Sequence, residues 1–211
     1  MLKISTIIGG SIGTNSYILE ENKKILLIDF VPQVEKIIKD NNLDLESIIL
    51  THTHFDHMEG LSGFQKKYSF QLYLSTNSYN FLKNIDKNIF SIFPPIMLND
   101  IKNLNLDNVK VCKENDIIKL NDNKIKVFES PGHSPDCLML ILDEIKSVFT
   151  GDTIFHGSVG RTDFPDGNFE NMINSIKKLF SIIDDDYVLY PGHGPETTVD
   201  FEKKYNPFLK K

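Results

Sequence analysis

The sequence predicts an α/β protein with two mixed β-sheets and helices on their outer faces. Short runs rich in β-branched residues, such as Lys24–Ile28 and Ser47–Leu50, are typical of buried strands. Other segments carry apolar residues at helical spacing, and Asn168–Ile183 is the clearest of them. Three strands, a helix, a strand and a helix precede a polar middle region, and a similar mixture of strands and helices follows it. This order predicts two mixed sheets.

The first half of the chain contains five predicted strands. A glycine-rich loop, residues 9–15, interrupts the N-terminal strands, and Pro32 suits the first turn of a helix. Pro94 and Pro95 end the last helical region, because proline restricts the residue before it and has no N–H. The predicted strands are Leu2–Ile8, Ser16–Leu19, Lys24–Ile28, Ser47–Leu50 and Phe70–Leu74, and the predicted helices are Val31–Asn41, Gly60–Tyr68 and Thr76–Phe93.

The second half of the chain follows an ambiguous polar stretch, residues 99–122. Lys124–Glu129 alternates between polar and apolar residues, as a half-buried strand does, whereas Cys137–Leu142 is continuously apolar. The predicted strands are Val109–Val111, Ile117–Ile118, Lys124–Glu129, Cys137–Leu142, Ser147–Thr150 and Tyr187–Tyr190, with one clear helix over Asn168–Ile183.

Composition limits the classes of function. The 211 residues are 40% hydrophobic with 15 phenylalanines, which is enough to build a sizeable core. We expect one domain over residues 1–211 with a short C-terminal tail from about residue 199. The net charge of −6 and the lack of a basic cluster exclude nucleic acid from the expected partners. Only two cysteines occur, Cys112 and Cys137, so no disulfide framework is expected.

The chain shows no sign of a membrane segment or a leader. The N-terminal residues lack a basic stretch followed by a long apolar core. No apolar run approaches the roughly 20 residues that span a bilayer. We therefore expect a cytoplasmic protein with no membrane partner.

A dense polar group, Thr51–His57, directly follows the predicted strand Ser47–Leu50. Its sequence, THTHFDH, contains three histidines and one aspartate. In α/β folds the end of a strand is where side chains face a crevice rather than the core. Imidazole and carboxylate groups are ligands that suit zinc, iron and manganese. The group therefore predicts a metal site.

Three later residues repeat this placement, each after a predicted strand and next to a glycine. Glycine lets the backbone turn sharply at such points. Five of the six histidines of the chain lie in these loops or in Thr51–His57, which scattered surface histidines would not do. The three later candidates are His133, Asp152 and His193.

The spacing within Thr51–His57 carries a geometric prediction. In extended chain, residues two apart point to the same side. We therefore expect His52, His54 and Asp56 to project together, and His57 to turn at the start of a helix. Four ligands so close in the chain suit two neighbouring ions rather than one. The absence of thiolate ligands argues against a structural zinc site.

These motifs carry a family resemblance. HxHxDH at His52–His57, followed in order by PGH, GD and PGHG, resembles the metallo-β-lactamase superfamily from Thr14 to His193. The segment GDTIFHGSVGRTDFPDGN, Gly151–Asn168, is similar to the hydroxyacylglutathione hydrolase (glyoxalase II) branch, in particular its short bacterial members. Its GRTDF element is shared with the persulfide dioxygenase branch. The resemblance implies an αβ/βα four-layer sandwich with the site at its edge.

The resemblance also implies two divalent metal ions, zinc in the first place and iron or manganese as alternatives. Such an ion pair lowers the pKa of a bound water to roughly 7, so that it can attack a carbonyl. Asp56 and Asp152 are the acidic residues of the implied catalytic centre. The implied ligands are His52, His54 and His133 for one ion, Asp56, His57 and His193 for the other, and Asp152 as a bridge between them.

Four further residues are candidates around the metal centre. Arg161 stands where glyoxalase II has a cation that contacts the glutathione part of its substrate, and it could pair with a carboxylate; a surface salt bridge is the competing role. Phe155 and Phe164 are candidates for the wall of a substrate pocket. Asp29 ends a strand before Thr51–His57 and could bind a ligand histidine, with turn capping as the alternative.

The leading hypothesis is a glyoxalase II-type thioesterase that cleaves S-D-lactoylglutathione or a related 2-hydroxyacyl thioester. Its partner would be a small thioester, with glutathione or another thiol as the leaving group. Only 18 residues follow His193, whereas glyoxalase II has a C-terminal helical extension with further glutathione contacts. The main alternative is a mononuclear iron persulfide dioxygenase, and a lactonase or another ester hydrolase comes after it. β-Lactam hydrolysis is not expected.

Overall fold

The computed structural model describes residues 1–84 and 100–210. The chain divides into two compact units, Met1–Cys112 and Lys113–Lys211. The single domain expected over residues 1–211 stays a prediction. The expected C-terminal tail is helical, with a helix at Val199–Tyr205 and a 3₁₀ turn at Pro207–Leu209.

The first unit contains one six-stranded mixed sheet whose strands lie in chain order. The first three strands are antiparallel neighbours, and the later ones are parallel. Parallel neighbours need crossover connections, and helices supply them. The strands are β1 (Lys3–Gly9), β2 (Thr14–Glu21), β3 (Lys24–Ile28), β4 (Asp44–Ile49), β5 (Gln71–Ser75) and β6 (Val109–Cys112), and the helices are α1 (Val34–Asn41), α2 (Leu61–Gln65) and α3 (Thr76–Lys83).

The centre of this sheet is buried on both faces. Ile25, Leu26 and Leu27 of β3 have no exposed surface, as expected of a strand covered on both sides. The chain leaves β3 at Asp29 and leaves β4 just before Thr51. Because β3 and β4 are parallel, their carboxyl ends meet at one edge of the sheet, and the polar residues that follow them come together there.

The second unit contains another six-stranded mixed sheet, in the order β14-β13-β10-β9-β8-β7, and a two-stranded hairpin. Only β10 and β13 pair in parallel. Helix α4 packs Met172, Ile176 and Leu179 into the core of the unit. The elements are β7 (Ile117–Leu120), β8 (Asn123–Glu129), β9 (Leu138–Leu142), β10 (Ser147–Gly151), β11 (Ile154–Phe155), β12 (Ser158–Val159), α4 (Phe169–Phe180), β13 (Val188–Pro191), β14 (Thr197–Thr198) and α5 (Val199–Tyr205).

The two mixed sheets and the α/β class confirm the fold class predicted from the sequence, but several boundaries differ. β2 begins at Thr14 rather than at Ser16, because Thr14 pairs with Gly9 of β1. The helix predicted over Thr76–Phe93 ends at Lys83 with Asn84 as its C-cap, and residues 85–93 with the proline stop lie outside the described residues. The strands β11, β12 and β14 have two residues each, which is too short to show a period.

Within residues 1–84 and 100–210, none of the helices has the length and apolar character needed to cross a membrane.

Candidate metal centre

The group Thr51–His57 lies after β4, at the carboxyl edge of the first sheet. Its last three residues form a 3₁₀ turn, Phe55–His57. The rings of His52 and His57 have no exposed surface, and their centroids are 4.2 Å apart. The ring of His54 lies edge-on to that of His52 at 4.6 Å. The imidazole of His52 therefore packs against both of the others.

The side chains of Thr51–His57 were expected to alternate as in extended chain, but the backbone is extended only up to His54. His54 is extended, with φ −65° and ψ 141°, but the 3₁₀ turn begins directly after it. Asp56 therefore does not continue the two-residue period. The ring of His57, which we expected to turn away at a helix start, lies against His52 instead, and helix α2 starts only at Leu61.

A buried carboxylate orients two of these histidines. Asp29 has a left-handed backbone, φ 58°, at the end of β3. One of its oxygens accepts from the N–H of Thr51 at 2.7 Å. The other accepts from the Thr51 hydroxyl at 2.8 Å and lies 2.7 Å from Nδ1 of His57. A carboxylate that gathers donors in this way satisfies its own burial and fixes the rings around it.

These contacts determine which ring nitrogen carries the proton. A carboxylate only accepts hydrogen bonds, so Nδ1 of His57 is the N–H donor, and the neutral ring presents a lone pair at Nε2. The Thr51 hydroxyl gives its proton to Asp29, so its oxygen can accept from Nδ1 of His52 at 3.1 Å. The same tautomer therefore follows for His52. Imidazole in this form is suited to bind a metal through Nε2.

Asp56 lies beside this lone pair. Its Oδ2 is 3.3 Å from Nε2 of His57 and accepts a hydrogen bond from the Thr14 hydroxyl at 2.7 Å. Thr14 is buried at the start of β2 and had no signal in the sequence that marked it as part of the site.

The second unit brings its three candidate ligands together around one oxygen atom. Oδ2 of Asp152 lies 3.7 Å from Nε2 of His133 and 3.6 Å from Nε2 of His193. His133 follows β8, Asp152 follows β10, and His193 follows β13, as the repeated pattern of strand, glycine and ligand predicts. A Cβ atom at Gly160 would lie 1.8 Å from the carbonyl oxygen of Asp152, so only glycine fits beside this residue.

A main-chain carbonyl orients His133. Nδ1 of His133 lies 2.7 Å from the carbonyl oxygen of Arg161. A carbonyl oxygen can only accept, so Nδ1 donates this hydrogen bond, and in the neutral ring it is Nε2, the nitrogen on the side of Asp152, that has the lone pair. Arg161 was a candidate for its side chain only. The contact of its main-chain carbonyl could not be predicted, because every residue has a carbonyl and the sequence does not mark which one is used.

The side chain of Arg161 is exposed and pairs with a neighbour. Its Nε and one terminal nitrogen each lie 2.7 Å from an oxygen of Asp163, and its guanidinium carbon is 4.2 Å from the centroid of the Phe164 ring. Hydrogen bonding to Arg161 lowers the pKa of Asp163. The surface salt bridge, which was the alternative role predicted for Arg161, is thus formed in this structure.

The two candidate wall residues both lie near candidate ligand histidines of the second unit. The ring of Phe155 is edge-on to His193 at 6.2 Å, and that of Phe164 is edge-on to His133 at 6.3 Å. His156, the one histidine outside the motifs, stacks on Phe201 at 4.5 Å. Burial raises the pKa of the Cys137 thiol, so Cys137 stays protonated and is not expected to act as a thiolate.

Comparison with known proteins identifies the family to which this fold and this cluster of histidines and aspartates belong. The sequence model of the metallo-beta-lactamase superfamily matches residues 9–193. The hydroxyacylglutathione hydrolase GloC of Haemophilus influenzae is 31% identical over 204 residues, which cover 92% of this chain and 91% of the relative. The YqgX protein of Bacillus subtilis, described as a probable metallo-hydrolase, is 30% identical over 95% of this chain and 94% of its own.

A solved structure gives the same result at the level of the fold. The crystal structure of the BLEG-1 B3 metallo-beta-lactamase matches with a TM-score of 0.85 and 28% identity, covering 99% of this chain and 100% of that one. The family and the curated relatives support a metal-dependent hydrolase, and the clustered histidines and aspartates of each unit are suited to divalent metal ions. This chain belongs to the metallo-β-lactamase superfamily.

Proposed function

We propose that the protein is a two-metal thioesterase of the hydroxyacylglutathione hydrolase type, acting on S-D-lactoylglutathione or a related 2-hydroxyacyl thioester. The observation that carries the proposal is the anchoring of Nδ1 in His57 and His133. Both rings are held as the tautomer whose Nε2 can bind a metal. The relative GloC supplies the substrate class, because it is described as a hydroxyacylglutathione hydrolase.

The proposed ligands are those of the family pattern. When bound, two divalent ions would supply a water acidified to a pKa of roughly 7 and positive charge for the oxyanion that develops on the substrate carbonyl. Imidazole and carboxylate ligands fit zinc, iron and manganese alike, and we propose zinc. In that pattern His52, His54 and His133 would hold one ion, Asp56, His57 and His193 would hold the other, and Asp152 would contribute to both.

The residues of the chain would do three things around this centre. Asp29 holds Nδ1 of His57, and through Thr51 that of His52, which favours one orientation and one tautomer of each ring. Asp56 and Asp152 bring negative charge beside the histidines, which favours cations over neutral occupants. We propose that Arg161 leaves Asp163 to pair with a substrate carboxylate, and that Phe155 and Phe164 line the acyl or thiol side of the substrate.

One alternative has a specific observation behind it. The GRTDF element, residues 160–164, is shared with persulfide dioxygenases, which would use a single iron on His52, on His54 or His57, and on His133 or Asp152. A similar protein, TTHA1623, has been crystallised in a di-iron-bound form, and its structure matches with a TM-score of 0.81 at 28% identity. Iron is therefore included in the test.

The test combines metal analysis with three assays on the same preparation. Metal content per chain is measured after reconstitution with zinc, iron or manganese. Hydrolysis of S-D-lactoylglutathione, oxygen uptake with glutathione persulfide, and cleavage of a chromogenic cephalosporin are then compared. We expect about two metal ions per chain and turnover of the thioester. One iron per chain with oxygen uptake and no thioester turnover would establish the dioxygenase, and cephalosporin cleavage alone would establish a β-lactamase.

The cellular setting is part of the same proposal. A small-molecule thioester is the proposed partner, with no nucleic acid and no membrane, and the cytoplasmic location expected from the sequence stays a prediction.

A further inference from the structure

Glu202 is a fully buried carboxylate outside the candidate metal centre. It lies on α5 and has no exposed surface. Its Oε1 accepts from the Thr197 hydroxyl at 2.6 Å, and its Oε2 accepts from the side-chain amide of Asn206 at 2.7 Å. The N–H of Gly157 lies 3.0 Å from Oε1 and 3.2 Å from Oε2. Donors from three segments therefore converge on one carboxylate.

This network fastens α5 to the hairpin β11–β12. Gly157 stands in the two-residue turn of the hairpin with a φ of 67°. Asn206 adds a second hydrogen bond, to the carbonyl of Ser158 at 3.0 Å. His156, the other turn residue, stacks on Phe201, the neighbour of Glu202 in the chain. These contacts of α5 and its C-cap Asn206 reach the hairpin at its turn and at Ser158, the residue after the turn.

Burying a carboxylate is costly, and an apolar residue would fill the same space without that cost. A carboxylate is useful at this point because it can accept several donors whose positions must be fixed relative to one another. The group that most directly depends on this arrangement is Phe155, which precedes the turn. Its ring lies edge-on to the candidate ligand His193.

We propose that Glu202 is a positioning residue that holds the β11–β12 hairpin, keeps Phe155 beside His193, and thereby sets how tightly the substrate binds at this edge of the site. The part about the substrate rests on the proposed function. The part about the hairpin does not depend on any activity.

The test variant is Glu202→Gln, with Glu196→Gln as the matched control. Glutamine keeps the shape of glutamate but replaces one acceptor with an NH₂ donor, which would face other donors. Glu196 is exposed in the same stretch of chain, so its substitution removes the same charge without touching the network. Thr197→Val is a milder second variant, because it deletes one donor to the carboxylate and keeps the charge.

Two readouts are measured on metal-loaded protein. Amide hydrogen exchange at Gly157 reports the hairpin directly, and we expect it to speed up by about tenfold in Glu202→Gln. For the thioester we expect KM to rise by about tenfold while kcat changes by less than about threefold, which is the signature of lost binding. The control should match the parent in both readouts, and Thr197→Val should shift both in the same direction by a smaller factor.

The outcomes separate the two proposals. Unchanged exchange at Gly157 in both network variants would overturn the positioning role. A lower melting temperature with unchanged KM in the folded protein would overturn the part about the substrate, because it would show that the carboxylate only supports the structure. If the parent protein cleaves no thioester, the proposed function fails, while exchange at Gly157 still decides whether Glu202 holds the hairpin.

Discussion

The two units hold their candidate ligands by different means. In the first unit, four ligands follow a single strand, and a buried side chain, Asp29, orients two of the histidines. In the second unit, three ligands come from three strand ends and gather around Asp152, and a main-chain carbonyl orients His133. A side-chain anchor can be removed by mutation, whereas a main-chain anchor cannot.

The difference has a physical consequence. The anchors of the first unit lie at zero or near-zero exposure, so a change there leaves a buried polar group without its partner. In the second unit His193 is more open, with 26% side-chain exposure. Its ring is less enclosed, so the arrangement of the two histidines of this unit depends more on Asp152. We therefore expect the largest loss of metal binding and activity from substitution of Asp152, whose Oδ2 lies near both histidines. Substitution of Asp29 should have a smaller effect, and substitution of Arg161 in the exposed loop a smaller one still.

The largest effect is expected for Asp152→Ala. Removing this carboxylate takes away the atom around which His133 and His193 are arranged, and with it the proposed bridge. We expect metal content to fall and kcat/KM to drop by about 10³-fold or more. Asp122→Ala, at an exposed turn of the same unit, is the control and should be unaffected. An active variant that retains its full metal content would contradict the bridging role.

A smaller but clear effect is expected for Asp29→Asn. The asparagine NH₂ would face Nδ1–H of His57 or the donors of Thr51, so the histidine tautomers would no longer be fixed. Loss of such an outer partner lowers metal affinity by about 10- to 100-fold. Competition with a chelator of known affinity measures this, with Asp44→Asn as the exposed control. Equal affinity in both variants would show that Asp29 serves the fold alone.

The sequence identified the candidate ligands, which the structure brings together within each unit, but it did not identify most of the residues that support them. Strand, glycine and ligand recur after β8, β10 and β13, so His133, Asp152 and His193 were identifiable from local pattern. The bend that brings His57 against His52 was not, because a three-residue 3₁₀ turn has no periodic signal. Pairing between strands decided where β2 starts, and sequence alone does not contain that information.

The same limit applies to contacts that join distant parts of the chain. Asp29 was a candidate because it ends a strand close before Thr51–His57, and its side chain does contact His57. Thr14 and the carbonyl of Arg161 carried no comparable signal. Glu202 lies in the segment predicted to be a short C-terminal tail, and its seven-residue helix is too short to show a clear apolar stripe.

Arg161→Ala tests whether the open loop acts through its side chain or its main chain. The carbonyl that holds His133 remains in the variant, so metal affinity should stay within about threefold of the parent. If the guanidinium binds the substrate carboxylate, KM for the thioester should rise by about tenfold with a smaller change in kcat. Asp163→Asn, which keeps Arg161 but removes its ion-pair partner, is the companion variant. A large loss of metal affinity in Arg161→Ala would show that the side chain keeps the loop in place.

The smallest effect concerns the cysteines, one in each unit. Cys112 is buried and donates to the carbonyl of Leu74 at 3.3 Å, and Cys137 is buried beside Ser134. Because burial raises the pKa of the Cys137 thiol, raising the pH to about 9 should not create the reactive thiolate there. We expect no labelling of either residue by a maleimide in the native protein and labelling of both in denaturant, measured by mass spectrometry. Native labelling of Cys137 alone would show that the second unit opens around Cys137, and the exposure seen at His193 would then extend into the core of that unit.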